Sequence, residues 1–391
     1  MIIACAIILA ALFAVLTWRD FKFALTVLFA LLPTYLIRFS IGPLPTTLLE
    51  VFILELAIVW LIKKRQVTRV PYPLIALVLV ATLSIAFAPD KLSALGLWRA
   101  YFIEPMMVFV MLRTTFDSAN DWRRGLQALA VGAALVSVVA LLQYLTGMGI
   151  PVPWDIEKRV TGVFEYPNAL GLFVAPIVAA LIVARPRAWW LTTALGAIAI
   201  VLAKTEAAFV AIPAALVAGF ALMKPQWRTA LVALGALGVA ACFVLPMARE
   251  KVLLQDTSGL VRRAQWSETA EFLKEHPLQG AGLAGYPTAI APYHDGTLYE
   301  IFQYPHNIVL NIWVELGLLG VIVAVWLAAV VIRHTWRNRH DPLIVAGFVA
   351  LLTMAIHGLV DVPFFKNDLA VLTVFFLAMT LSTHDLRSTK L

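Results

Sequence analysis

Residues 307–332 read NIVLNIWVELGLLGVIVAVWLAAVVI, a run whose one charged residue is Glu315. About 20 apolar residues as a helix span the hydrocarbon core of a bilayer, and a soluble core helix has no use for so long an uninterrupted run. The run does not alternate, which argues against a strand of a membrane barrel. Comparable stretches recur at 2–17, 23–37, 44–62, 72–88, 100–112, 125–146, 169–184, 189–203, 207–223, 229–247, 343–360 and 369–382. With 307–332 they make thirteen candidate spans. Several are short, so twelve or thirteen crossings are expected. Over 391 residues the chain is 62% hydrophobic and 14% charged, against about 45–50% apolar and about 25% charged in an ordinary globular domain. That balance excludes a soluble globular protein and a disordered chain. The expected fold is all-α: a polytopic integral membrane protein forming one membrane domain over 1–391. The apolar N-terminus has no basic region before it and reads as a first span rather than a cleaved signal peptide.

The charged minority carries the topology. If the basic run Lys63-Lys64-Arg65 with Arg69 is cytoplasmic, alternation places Arg19 and Lys22, Arg113, Arg123 and Arg124, Arg185 and Arg187, Lys224 and Arg228, Arg333, Arg337 and Arg339, and Arg387 and Lys390 on the same side. This side then holds eighteen of the 30 Lys and Arg residues but only five acids: Asp20, Asp117, Asp121, Asp341 and Asp385. The positive-inside rule is satisfied with the N-terminus outside and the C-terminus cytoplasmic. The net charge of +7 is thus a topology signal, and no nucleic-acid partner is expected. Cys5 and Cys242 both lie in apolar runs and form no disulfide framework.

Two outside connections are long, residues 147–168 and residues 248–305, and function is expected where long polar sequence meets the membrane. Within the second, Trp266, Ala270 and Leu273 recur at helical spacing in the charged segment 258–275, with Ser258 as a cap and Pro277 as a stop. This predicts an amphipathic helix on the outer membrane surface. Gly280-Ala281-Gly282-Leu283-Ala284-Gly285 fits a dinucleotide-binding spacing. It lacks the flanking strand and helix, however, and reads as a tight turn.

His306-Asn307 stands where this loop enters the span 307–332. A histidine there suits proton removal from a hydroxyl near neutral pH, or else caps the helix entry; the residues alone leave both open. Arg262 and Arg263 on the amphipathic segment either hold phosphate oxygens or snorkel at headgroup level, and Lys158 and Arg159 share that ambiguity. His294 and His276 are weaker candidates, His276 reading as a helix end. Glu50, Glu55, Glu104, Glu206, Glu315 and Asp361 lie in or at the ends of spans, either lining an ion pathway or forming polar networks.

Four elements in order resemble the O-antigen ligase/polymerase (Wzy-like) family of bacterial membrane glycosyltransferases. They are Gly162-Val163-Phe164-Glu165-Tyr166-Pro167-Asn168-Ala169-Leu170; Ser258-Gly259 with Arg262 and Trp266, leading into His276-Pro277-Leu278; His306-Asn307 with Leu310 and then Glu315-Leu316-Gly317; and His357 with Asp361. The resemblance spans residues 160–365. It implies a GT-C-like membrane enzyme; no cofactor is expected and no residue is assigned as a metal ligand. Such an enzyme takes a glycan from a polyprenyl (undecaprenyl) diphosphate and passes it to a hydroxyl on a glycan, lipid or protein at the outer face of the bacterial cytoplasmic membrane. By that resemblance His306 is the catalytic base and Arg262 holds the diphosphate. Arg263, Asn307, Asn168, Lys204 and Glu206 join them as substrate-binding positions. One departure stands out. Where many members carry an arginine in the turn between the eighth and ninth spans, this chain has Lys204-Thr205-Glu206. A carboxylate does not bind diphosphate directly. Lys204 replaces the arginine as a point charge, or Glu206 orients Arg262 or a cation. Transport of a lipid-linked or small polar substrate is the competing reading, and a scaffold role in envelope assembly a third.

Overall fold

The computed structural model describes residues 2–42, 44–63, 69–184, 189–244, 246–296 and 299–382. The basic residues Lys64, Arg65, Arg185, Arg187, Arg387 and Lys390, and Asp385, lie outside the described residues. The order is α1 (Ile2–Arg19), α2 (Phe21–Leu28), β1 (Arg38–Ile41), β2 (Leu44–Thr47), α3 (Leu48–Ile62), α4 (Tyr72–Ser84), α5 (Lys91–Trp98), α6 (Glu104–Thr115), α7 (Ala119–Thr146), α8 (Pro167–Ala184), α9 (Trp190–Leu202), α10 (Glu206–Met223), α11 (Arg228–Val244), α12 (Pro246–Val252), α13 (Thr257–Glu275), α14 (Tyr286–Ile290), α15 (Ile308–Arg337), α16 (Pro342–His357) and α17 (Asn367–Thr380). The fold is all-α apart from the small antiparallel β1–β2 hairpin. Among the described residues five helices are long and apolar enough to cross a membrane: Lys91–Thr115, Ala119–Thr146, Pro167–Ala184, Glu206–Met223 and Ile308–Arg337. Shorter apolar helices stand beside them.

The apolar runs do not all form single helices. The run 23–37 is not one helix. α2 stops at Leu28 and a 3₁₀ turn, Leu32–Leu36, follows with Pro33 in its first turn. Proline has no N–H to continue an α-ladder. The run 44–62 likewise starts as β2 before Thr47 and Glu50 close a capping box on α3. Ion pairs fix the broken segment on both flanks. At its start Lys22 pairs with Asp117 at 3.2 Å and Asp121 at 2.7 Å; beyond its end Arg38 meets Glu165 at 3.6 Å.

α8 is buried along nearly its whole length and packs against α9, α10 and α16, forming the centre of the bundle. Two of the acids buried between helices, Glu50 and Glu104, share one network. In the π turn Arg99–Ile103, between α5 and α6, Arg99 reaches Glu50 at 2.8 Å and Glu104 at 3.2 Å. Asn367 donates to Glu50 at 2.5 Å, and Thr46 does so at 2.7 Å. These contacts tie α3, α6 and α17 together. Of the two readings of the span acids, they favour polar networks over an ion pathway for this group.

α15 carries a kink that seats the preceding loop. Gly317 has φ 69° and ψ −174°, and the opening lets Leu318 N–H donate to Leu278 O at 3.0 Å. Ala281 N–H donates to Val314 O at 2.7 Å, and Glu315 accepts from Ala284 N–H at 2.7 Å. The glycine-rich segment 280–285 is therefore a turn docked against α15. A Cβ at Gly317 would run into the Leu278 carbonyl oxygen. Gly317→Ala is expected to destabilise the fold by about 1–3 kcal/mol, the usual range for a residue forced into a disfavoured backbone region. A lowered thermal midpoint of the purified protein would show it; an unchanged midpoint would contradict the role given to the kink.

Candidate active site

The cap of α13 stands two positions earlier than its sequence suggests. Asp256, not Ser258, caps it, accepting from Gly259 N–H at 3.1 Å, and His276 closes it ahead of Pro277. The face it buries also differs from the expected stripe. Ala270 is exposed, while Gln265, Glu268, Thr269, Phe272 and Leu273 are buried. Phe272 and Leu273 pack with Tyr286, Ile290 and Val314. The helix is thus seated on α14 and α15, and its buried face is polar for a full turn. A polar face turned inward has to be matched by hydrogen bonds, and here the partners come from the loop that precedes α15.

Gln265 Nε2 donates to Tyr304 O at 3.4 Å, and Trp266 Nε1 donates to Pro305 O at 2.9 Å. These two grips hold the backbone just before His306, whose φ of 47° turns the chain sharply. With its amide nitrogen committed to Tyr304, Gln265 presents Oε1 to His306 Nδ1 at 3.1 Å. An amide oxygen only accepts, so Nδ1 carries the proton and Nε2 keeps its lone pair. Phe302 and Tyr304 flank the imidazole edge-on, at 5.0 and 5.1 Å. Burial pushes the His306 pKa below the ordinary histidine value; the Asp361 carboxylate opposes this and the Arg262 charge adds to it. The result is a neutral, oriented imidazole beside a guanidinium.

Arg262, one turn before Trp266, is partly buried and anchored by Nε to Val360 O at 2.9 Å, in the turn between α16 and α17. Asn307 is engaged at both ends of its amide. Oδ1 accepts from Val309 and Leu310 N–H as the N-cap of α15, and Nδ2 donates to Leu359 O at 2.9 Å. Its place is structural: with Ile308 N–H on Gly358 O, it locks the loop to the same turn that holds Arg262.

A second group assembles around the α9–α10 turn. Arg159 lies across Trp154 at 5.0 Å and donates to Ala203 O at 3.2 Å, Asn168 Oδ1 at 3.4 Å and Lys204 O at 3.5 Å. Lys204 Nζ reaches back to Glu157 O at 2.9 Å. Glu206 neither touches Arg262 in an ion pair nor stands alone; it pairs with Lys251 at 3.0 Å, and Lys251 pairs with the capping Asp256 at 2.7 Å. Arg263 is exposed, since consecutive helix positions point to different faces.

Glu268, His294 and Asp295 offer three ligand atoms within 4.8 Å of one another. His294 Nε2 donates to Tyr299 O at 2.9 Å and Nδ1 faces Glu268 at 3.2 Å, while Tyr299 donates its hydroxyl to Glu268. Both ring nitrogens of this histidine face oxygen acceptors, so neither is turned toward a place for a metal. Tyr299 stacks on Phe302 at 5.8 Å, so the cluster supports one wall of the His306 site. The cleft lined by Phe87, Phe272, His276 and Thr288 shares no residue with that site.

Sequence reading singled out His306 and Arg262, left Arg159 open between phosphate binding and snorkelling, and missed Gln265. For Gln265 a signal existed: Arg262, Gln265 and Thr269 repeat polar character at helical spacing beside the apolar stripe. For Arg159 the partners lie in another loop and no local pattern announces them. Residues 191–325, about a third of the chain, match the family model described as O-antigen ligase. No curated protein matches the chain.

Proposed function

From the premise of an O-antigen ligase/Wzy-like family, which the match over residues 191–325 supports, we propose that this membrane glycan-transferring enzyme uses a polyprenyl-diphosphate-linked glycan as donor. It passes the glycan to a hydroxyl acceptor at the outer face of the bacterial cytoplasmic membrane. The observation that carries the reading is the His306 imidazole held by Gln265 Oε1 with Nε2 left as the basic atom. The acceptor hydroxyl gives its proton to Nε2 as its oxygen bonds to the anomeric carbon. The bond from that carbon to the diphosphate oxygen breaks, and its electron pair leaves with the lipid diphosphate. Arg262 takes up the charge developing on that group, and the proton then passes from His306 to water. A base positioned for the hydroxyl and a fixed cation for the leaving group are the two contributions such a displacement needs from protein.

The whole chain acts as one membrane domain in this reading, with 248–305 as its external loop, the N-terminus outside and the C-terminus cytoplasmic. The grouping of Lys22 with Asp117 and Asp121, and of Lys63 Nζ with Trp18 O at 2.8 Å, supports the alternation. These residues belong to connections assigned to the cytoplasmic side. The test is reconstitution with a lipid-diphosphate glycan and a hydroxyl acceptor. A new glycosidic product supports transfer; donor crossing the bilayer unchanged, with no product, overturns it.

The pH profile gives a second check. A neutral His306 is required, so kcat/KM falls as pH drops through the pKa of His306, below the ordinary value of about 6.5. Asp361 holds that pKa up against burial. Asp361→Asn is therefore expected to shift the acid limb to lower pH, and a shift to higher pH would contradict the arrangement.

A further inference from the structure

We propose that Tyr304 contacts the acceptor sugar: its hydroxyl donates to an oxygen next to the attacking hydroxyl, and Lys366, acting through Tyr166, is the positioning residue that leaves this proton to the ligand. This rests on the transfer reading above and adds to it a residue that decides which acceptor is used.

Three loops meet at this point. Tyr304 lies two residues before His306, Tyr166 immediately precedes α8, and Lys366 is the N-cap residue of α17. All three are partly buried. Lys366 Nζ donates to the Tyr166 hydroxyl and stands 4.1 Å from the centre of its ring. The Tyr166 and Tyr304 hydroxyl oxygens are 3.2 Å apart. An ammonium donates and never accepts, so the direction of this chain is set from its lysine end. By drawing on the Tyr166 oxygen, Lys366 makes it a poorer acceptor and its O–H a stronger donor. Tyr166 accordingly donates to Tyr304, and the Tyr304 proton is left over. Among the described residues the Tyr304 hydroxyl has no further hydrogen-bond partner, and neither has His306 Nε2.

One unused donor and one unused lone pair thus stand on rings whose centres are 5.1 Å apart. A sugar offers the matching pair on adjacent carbons: one hydroxyl gives its proton to Nε2, and the oxygen beside it accepts from Tyr304. Burial holds the Tyr304 pKa above the ordinary tyrosine value, with the Asp361 and Glu165 carboxylates adding to it, so this group stays a donor throughout the working range. Lys366 is the member that titrates. Burial pushes its pKa down to about 8, Asp368 and Glu165 opposing and Arg38 adding to the fall; the phenols of Tyr35 and Tyr101 share the field of Asp368 and Arg38. A neutral amine accepts where the ammonium donated. Above that pH the chain reverses, Tyr304 donates back to Tyr166, and the contact to the sugar is lost.

The test uses the full-length protein in lipid nanodiscs, with lipid-linked glycans extracted from the cells that produce it as donor. The acceptor probes are dodecyl β-D-glucoside and its 2-, 3-, 4- and 6-deoxy analogues. In the wild type at pH 7, removing the hydroxyl beside the glycosylated one is expected to lower kcat/KM by at least about tenfold, the scale of one hydrogen bond. Tyr304→Phe brings the intact glucoside down to that level and closes the gap between it and the deoxy analogue. Lys366→Met closes the gap as well, whereas Lys366→Arg, which stays charged, keeps it. The wild-type gap narrows as pH rises through about 8, and the Lys366→Arg gap does not. Thermal midpoints serve as controls. A purely structural Lys366 predicts a lower midpoint or kcat in Lys366→Met with the deoxy preference intact, and that outcome overturns the relay. Product whose deoxy preference is unchanged in Tyr304→Phe overturns the contact alone. No product from the wild type overturns the transfer reading for a sugar acceptor, and the contact with it.

Discussion

Replacing His306 by asparagine is expected to lower glycan transfer by about 10²–10⁴-fold, the range assigned to a positioned general base, with the protein still inserted and folded. Asparagine is the sharper test than alanine. His306 sits at φ 47°, a region that asparagine tolerates and alanine does not. His306→Ala therefore mixes loss of the base with backbone strain, whereas His306→Asn keeps the turn and removes only the proton acceptor. The measurement is kcat for product formation in reconstituted vesicles, with the thermal midpoint as control. The loss should fall on kcat and leave donor KM nearly unchanged, since the imidazole acts on the acceptor hydroxyl. Transfer within a few-fold of wild type would remove His306 from the mechanism.

Arg262→Ala is expected to cost about 10²–10³-fold in kcat/KM, the scale seen when one fixed donor to a developing anion is removed. The backbone around it should hold, because the Val360 carbonyl it anchors belongs to a turn also tied by Asn307 to Leu359 and by Ile308 to Gly358. Arg262→Lys should recover little. The native contact uses Nε for the anchor and leaves the terminal nitrogens for a ligand, and a lysine has one nitrogen for both tasks. Recovery to near wild type by lysine would mean that charge alone matters there and that the anchored fork does not.

The apolar architecture was legible because a bilayer imposes it: most of the apolar runs are helices, and five helices among the described residues are long and apolar enough to cross. Local chemistry was legible where one residue dictates the backbone, as Pro277 does at the end of α13. What escaped was decided elsewhere in the fold. Pro33 turns the run 23–37 into α2 and a 3₁₀ turn, although its composition matches its neighbours. Asp256 rather than Ser258 caps α13, because Asp256 is fixed from outside by Lys251. The stripe of Trp266, Ala270 and Leu273 suggested a helix lying on lipid, but the buried face runs through Gln265, Glu268 and Thr269, whose side-chain partners lie 17 to 41 residues downstream. No sequence rule places His306 in the left-handed region or brings Arg159 to the carbonyls of residues 203 and 204. Of the expected substrate contacts, Arg262 shares a neighbourhood with His306, Asn168 and Lys204 stand with Arg159, Asn307 is a helix cap, Glu206 pairs with Lys251, and Arg263 faces away.

The kink at Gly317 also works as a depth gauge. α15 runs 30 residues from Ile308 to Arg337, about 45 Å at 1.5 Å per residue. In the proposed topology the crossing ends at Ile332, ahead of the cytoplasmic Arg333. Leu318 to Ile332 measures only about 22 Å, less than the roughly 30 Å of the hydrocarbon core. The turns before the kink are then needed to complete the crossing, and Gly317 marks how far the external loop that docks on it reaches below the membrane surface.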